Sequence, residues 1–224
     1  MDIPYSIIYS NRKTINIIVE RDRKVVVRAP LNTSEDFIKK EIQKRKRLLL
    51  EKVGHHQKYP AETQTKEFVS GESLMYLGKN YKLYVVDEPI EGVSFDSKFF
   101  ICKTNQSEAR VLFREWYKKA AERIIIPKVK ILATQLGISY NSITILDLKY
   151  RWGSCTPKDN LHFNWRLIKA PMNVIEYIII HELTHIYETN HTPEFWTRVS
   201  VQQPGYEKAK AWLKENGELV ERDF

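Results

Sequence analysis

The segment His181-Glu182-Leu183-Thr184-His185 constrains this chain more than any other, because it follows Val174, Ile175, Tyr177, Ile178, Ile179 and Ile180. Residues so apolar and so close together predict a deeply packed helix, where an unpartnered charge is expensive. Two histidines four residues apart lie on one helical face, one turn from each other, so both imidazoles reach a single metal ion. Glu182 follows the first of them directly and can swing beside the ion's open position. There a carboxylate takes a proton from water and returns it to a leaving group. A divalent ion answers the needs of His181, His185 and Glu182 together.

A catalytic zinc usually has three protein ligands and one open position. Glu188, His191 and Glu194 compete for the third place. Glu188 shares the face of His181 only if the helix runs on, whereas His191 needs it to stop. The stretch Thr189 to Glu194 reads as a break followed by a new helix, with Thr192 as cap and Pro193 in the first turn, which favours His191. The spacing of the three histidines equals that of metzincin peptidases, but those need a glycine where Glu188 stands.

Around this motif the pattern alternates between strand and helix. Tyr5 to Pro30 reads as a hairpin, with Ile15, Ile17 and Val19 before a polar turn at Arg21-Asp22-Arg23 and Val25 to Val27 after it. A helix is expected from Thr33-Ser34-Glu35-Asp36 to about Gly54, then a polar linker from His55 to Lys66. Short strands follow from Glu67 to Lys103, with turns at Gly71-Glu72 and Gly78-Lys79-Asn80. A long helical period runs from about Gln106 to Gly137. Next come a strand at Ile143 to Leu148, a turn at Trp152-Gly153-Ser154, and a strand from Leu161 to Trp165. Pro171 opens the motif helix, from about Met172 to Glu188, and further helices begin near Pro193 and after Pro204-Gly205. The expected class is α+β, with residues 1–104 a mostly β region carrying one basic helix and residues 105–224 a metal-binding catalytic domain.

Of the 224 residues, 42% are hydrophobic and 29% charged, the balance of an ordinary soluble globular protein. No apolar stretch is long enough to span a bilayer, and the start of the chain lacks the pattern of an export signal. Two cysteines make no disulfide framework, so a cytoplasmic protein is expected. The net charge of +8 favours phosphate-bearing partners. Much of it sits in Lys39 to Arg47, where Phe37, Ile38, Ile42, Leu48 and Leu49 recur at helical spacing. That segment reads first as a solvated helix face, and second as a nucleic-acid or nucleotide contact.

A longer string of residues resembles the YgjP-like metallopeptidase family, relatives of the SprT-like proteins within the zincin group. It comprises Arg151-Trp152-Gly153-Ser154-Cys155, Asn164-Trp165-Arg166-Leu167, Ala170-Pro171, the motif itself, and Asn190-His191-Thr192-Pro193-Glu194-Phe195-Trp196. The likeness reaches back to Gly71-Glu72, to Tyr76 through Tyr81, and to Trp116-Tyr117 with Ala120. It implies a zincin-like core with zinc on the motif helix, nickel or another transition metal being alternatives, and it supports His191 as third ligand and Glu182 as base. One departure is Asp159, where the family often has glycine, and it bears on a single hairpin turn.

Candidate substrate contacts are Arg151, Trp152, Ser154, Asn190 and Trp196. Arg151 suits a carboxylate or phosphate, Ser154 or its neighbouring amides suit developing negative charge, Asn190 would orient His191 or cap the break, and Trp152, Trp165, Phe195 and Trp196 read first as packing and second as an aromatic wall. Cys155 reads as a small packing hydrophobe, and His162 as a surface or satisfied core residue. Three functions follow: a zinc peptidase; a nucleoside triphosphate (UTP) pyrophosphatase, as relatives of the family have been grouped; or a non-catalytic protein with structural zinc that binds nucleic acid.

Overall fold

The computed structural model describes residues 3–19, 24–53, 66–148, 151–221 and 224. The fold is α+β, and the chain divides into two compact units, Met1–Pro60 and Ala61–Phe224.

In the first unit, β1 (Tyr5–Ser10), β2 (Asn16–Val19) and β3 (Val25–Pro30) form a sheet of order β1-β3-β2. The hairpin is present as the antiparallel β2–β3 pair, and its turn at Arg21-Asp22-Arg23 lies outside the described residues. Central β3 buries Val25, Val26, Val27 and Ala29, and Val25, Val27 and Ala29 share one core cluster with Ile38 and Ile42. The Ser34 side chain caps α1 (Glu35–Lys44) by accepting from Phe37 N at 3.4 Å. The expected single helix is two: α1 closes at Arg45, whose N–H turns back to the Ile42 carbonyl, and α2 (Lys46–Val53) follows. Helix α1 buries Ile38 and Ile42, while Lys39 and Lys40 are exposed and Lys44 and Arg45 hold Glu41 at 2.8 and 2.6 Å. Much of the basic run is thus a solvated face carrying its own counter-ion.

In the second unit, β4 (Ser73–Tyr76), β5 (Lys79–Val86), β6 (Val93–Phe95) and β7 (Phe99–Cys102) form a sheet of order β4-β5-β7-β6. The β4–β5 turn has positive φ at Leu77 (48°) and Gly78 (77°), the tight hairpin geometry that favours glycine. Its two amides donate to the Ile168 and Lys169 carbonyls at 3.0 and 2.8 Å. A Cβ at Gly78 would lie 2.6 Å from Pro171 Cγ. The hairpin therefore clamps the residue that opens the motif helix. The change of pattern near residue 104 falls inside this unit, where a 3-10 turn, Lys103–Glu108, leads from β7 into α3 (Ala109–Leu136). Phe113, Tyr117, Ala121, Ile125 and Val129 of α3 are fully buried in one core with β4–β7 and the later helices, and Gly137 ends it at φ 65°.

Strands β8 (Ser142–Leu146), β9 (Gly153–Cys155) and β10 (Asn160–Asn164) form a third sheet of order β8-β10-β9. Here the expected turn at Trp152-Gly153-Ser154 is corrected: these residues enter and form the edge strand β9, antiparallel to β10. The reversal comes later, at Thr156 to Asp159. Asp159 takes φ 56°, a left-handed conformation that aspartate tolerates. After a buried 3-10 turn, Trp165–Lys169, come α4 (Met172–Thr184), α5 (Pro193–Gln202) and α6 (Tyr206–Glu221). Among the described residues no helix is long and apolar enough to cross a membrane.

Candidate metal centre

Helix α4 ends at Thr184, four residues before the expected Glu188, and His185 is its cap. The Thr184 hydroxyl donates back to the Ile180 carbonyl at 2.7 Å, and at the helix end the amides close shorter turns, Ile186 N to Leu183 O at 3.2 Å and Tyr187 N to Thr184 O at 3.1 Å. The chain then doubles back. Asn190 O accepts from Thr192 N at 2.9 Å, Thr192 caps α5 through Phe195 N at 3.3 Å, and Pro193 sits in the first turn.

This reversal brings His191 to the motif histidines. His181 Nε2 lies 3.2 Å from His185 Nε2 and 3.0 Å from His191 Nε2. Ligands at zinc–nitrogen bond lengths in a tetrahedral site stand ~3.4 Å apart, so the spacing fits one ion. Among the described residues, His181, His185 and His191 form the only group of three or more such side chains close enough to hold a metal; Glu188, Glu194 and Cys155 do not join it. Glu188 contributes its backbone instead: its carbonyl lies 3.0 Å from His185 Nδ1. A proton held on Nδ1 by that carbonyl leaves the Nε2 lone pair for a metal. Phe195 packs its ring 4.6 to 4.9 Å from all three imidazoles and holds them in place.

The electrostatics suit neutral donors. Burial, then His185 and His191, then Lys210 push the His181 pKa down to about 3, and His191 is lowered by burial, His185 and Lys210. Glu182 is 5% exposed, and burial pushes its carboxyl up to about 8 against the opposing pull of Arg151 and a hydrogen bond from the Cys155 backbone amide. Its side chain lies on β9: a Cβ at Gly153 would come within 2.6 Å of Glu182 Cγ and 2.7 Å of Oε1. Glycine at 153 is therefore the space that the carboxylate occupies.

The candidate substrate contacts distribute around this centre. Trp196 stacks on His191 at 5.6 Å, and Ser154 faces His162 across β9 and β10. Arg151 is exposed and reaches Glu182 only through its field. Trp152 is half-buried against the core. Asn190 is exposed and shapes the loop through its carbonyl. Cys155 is half-buried, its thiol pushed up to about 11, chiefly by burial. Sequence reading missed three aromatic or cationic neighbours. Tyr177, one turn before His181, has its ring 5.9 Å away, and Tyr206 and Lys210 close the same side beside Trp196. The spacing from Tyr177 to His181 was legible in the chain, but nothing in it placed α6 beside α4.

A family model described as YgjP-like, metallopeptidase domain, matches residues 13–216. No curated protein matches the chain. Two crystal structures of metallopeptidase zymogens align over part of it. Jannalysin of Methanocaldococcus jannaschii is 25% identical over 42% of this chain and 96% of its own, with a TM-score of 0.36. Abylysin of Pyrococcus abyssi is 21% identical over 45% of this chain and 99% of its own, with a TM-score of 0.38.

Proposed function

The chain belongs to the YgjP-like metallopeptidase family, and from that premise we propose that it is a zinc peptidase in which His181, His185 and His191 hold the ion and Glu182 is the general base. The observation that carries this reading is the convergence of three imidazole Nε2 atoms beside a buried carboxylate. When bound, the ion supplies Lewis-acid chemistry, polarising a carbonyl and acidifying water.

The chain's own residues supply the rest. Glu182 accepts the proton of the attacking water and delivers it to the departing amide nitrogen. A carboxyl poised near neutrality does both, and a cation beside it favours its charged form. The Cys155 amide and the wall of β9 hold the carboxylate in one orientation. Trp152 O and Thr156 N bond towards β10, so alternation turns the backbone groups of Gly153 and Cys155 outwards, the Cys155 N–H to Glu182 and the Gly153 groups to the open edge. An extended peptide pairing along this edge would pass beside Glu182, and main-chain pairing would orient its scissile carbonyl. Arg151 stands at the start of the strand to meet an acidic side chain.

Zinc-loaded protein offered a fluorogenic peptide library should cleave it, and Glu182→Ala should retain zinc while losing turnover by about 10²–10⁴-fold. Turnover by Glu182→Ala at the wild-type rate would sink the assignment. Pyrophosphate release from UTP, measured alongside, tests the nucleotide reading, which the cations Arg151 and Lys210 beside the centre favour.

A further inference from the structure

Helix α6 places a cation at the rim of the histidine cluster. Tyr206 and Lys210 are four residues apart and share one face of α6. The Tyr206 ring stacks on Trp196 at 5.3 Å and 14°, and the Lys210 ammonium lies 4.1 Å from the centre of the same indole. Trp196 in turn stacks on His191 at 5.6 Å and 23° and lies 5.9 Å from His181. One tryptophan thus separates the lysine from the proposed metal ligands. Lys210 is exposed, and no carboxylate among the described residues pairs with it. A surface lysine ordinarily wanders on its flexible stem; the indole gives this one a fixed resting place.

We propose that Lys210, held on the Trp196 indole, is a specificity residue that binds an anionic group of the substrate next to the scissile bond. The proposal rests on the hydrolase reading above and adds to it the charge of the substrate. The chemistry recognised is a compact anion, whether a peptide's C-terminal carboxylate or a phosphate. A peptide advances at most ~3.5 Å per residue, so a carboxylate one or two residues beyond the scissile carbonyl spans the width of the intervening ring.

The test compares an acetylated tetrapeptide bearing a free C-terminal carboxylate with its amidated twin. Both are offered to zinc-loaded wild type, Lys210→Gln, Lys210→Met and Lys210→Arg, with Lys208→Gln as a control that removes the same charge from the same helix. In parallel, inorganic pyrophosphate and the free-carboxylate peptide are titrated calorimetrically into zinc-loaded Glu182→Gln, with and without Lys210→Gln.

The expected result is a preference of about tenfold for the carboxylate peptide, carried by KM with kcat little changed and weakened by salt. It collapses towards one in Lys210→Gln and Lys210→Met, and survives in Lys210→Arg and Lys208→Gln. If no peptide is cleaved but pyrophosphate binds about tenfold tighter with Lys210 present, the subsite stands for phosphate and the peptidase reading fails. If removing Lys210 changes neither the peptide preference nor the binding of either anion, the proposal is overturned and the lysine merely packs on Trp196.

Discussion

At the scale of single residues, the site sets an acid and a base against the same burial. In the metal-free protein, burial lowers His181 to about 3 from an ordinary 6.5 and raises Glu182 to about 8 from an ordinary 4.5. The signs are opposite. Between pH 6.5 and 3 the unfolded chain binds the histidine proton more readily, so stability is lost as pH falls. Between 4.5 and 8 the folded chain holds the glutamate proton more readily, so stability is lost as pH rises. Thermal melts of metal-free protein should therefore decline on the alkaline side up to about pH 8, and Glu182→Gln should flatten that limb; an unchanged limb in the variant would refute the buried-acid account. Gly153 is a second point of tension. Gly153→Ala drives a methyl into the Glu182 side chain, so turnover should fall by about tenfold or more while zinc content, read by atomic absorption, stays at the wild-type level.

At the scale of elements, the site depends on where α4 stops. Had the helix continued to Glu188, His191 would have been carried away from the cluster; the tightened turns after Thr184 and the Thr192–Asn190 bond carry the reversal. His191→Ala should leave the fold intact and weaken zinc retention by about a hundredfold or more in competition with a chelator. The approach to β9 is braced in a similar way. Buried Asn164 donates to the Leu148 and Arg151 carbonyls at 2.7 and 3.2 Å and accepts from Arg166 N at 3.1 Å. The buried Arg166 guanidinium pairs with Asp147, and that hydrogen bond is the first cause holding the Asp147 carboxyl below its usual range. A depressed acid stabilises the fold above its unfolded pKa, and this contribution disappears as pH falls through the folded value. Asp147→Asn should lower the melting temperature at pH 7, and its deficit against wild type should shrink below about pH 4.

At the scale of the whole molecule, the centre and the core that supports it lie in Ala61–Phe224, while the family match from residue 13 spans both units. The 61–224 fragment, expressed alone, should bind one zinc ion per chain and show a cooperative melt, because the clustered core from Phe68 to Phe224 belongs to it entirely. A fragment that stays unfolded with zinc present would show that this core is insufficient by itself. The polar stretch from His55 to Lys66, expected as a linker, lies outside the described residues, apart from Lys66.

What the chain determines by itself is whatever depends on near neighbours in sequence. The i, i+4 spacing puts His181 and His185 on one face, and the Thr192-Pro193 start ends the loop. Ser34 caps α1, and the alternation of β2 and β3 announces their hairpin. Tertiary structure decided what depends on distant segments. Gly153 reads locally as a turn residue but is glycine because Glu182, nearly thirty residues on, fills the space of its side chain. Lys210 and Tyr206 are ordinary helix residues until α6 packs against α4 and sets them beside Trp196. Local rules see spacing and propensity. Close approach between remote segments is written in no short window of sequence, and at this centre it chooses the edge strand, the aromatic wall and the charge at the rim.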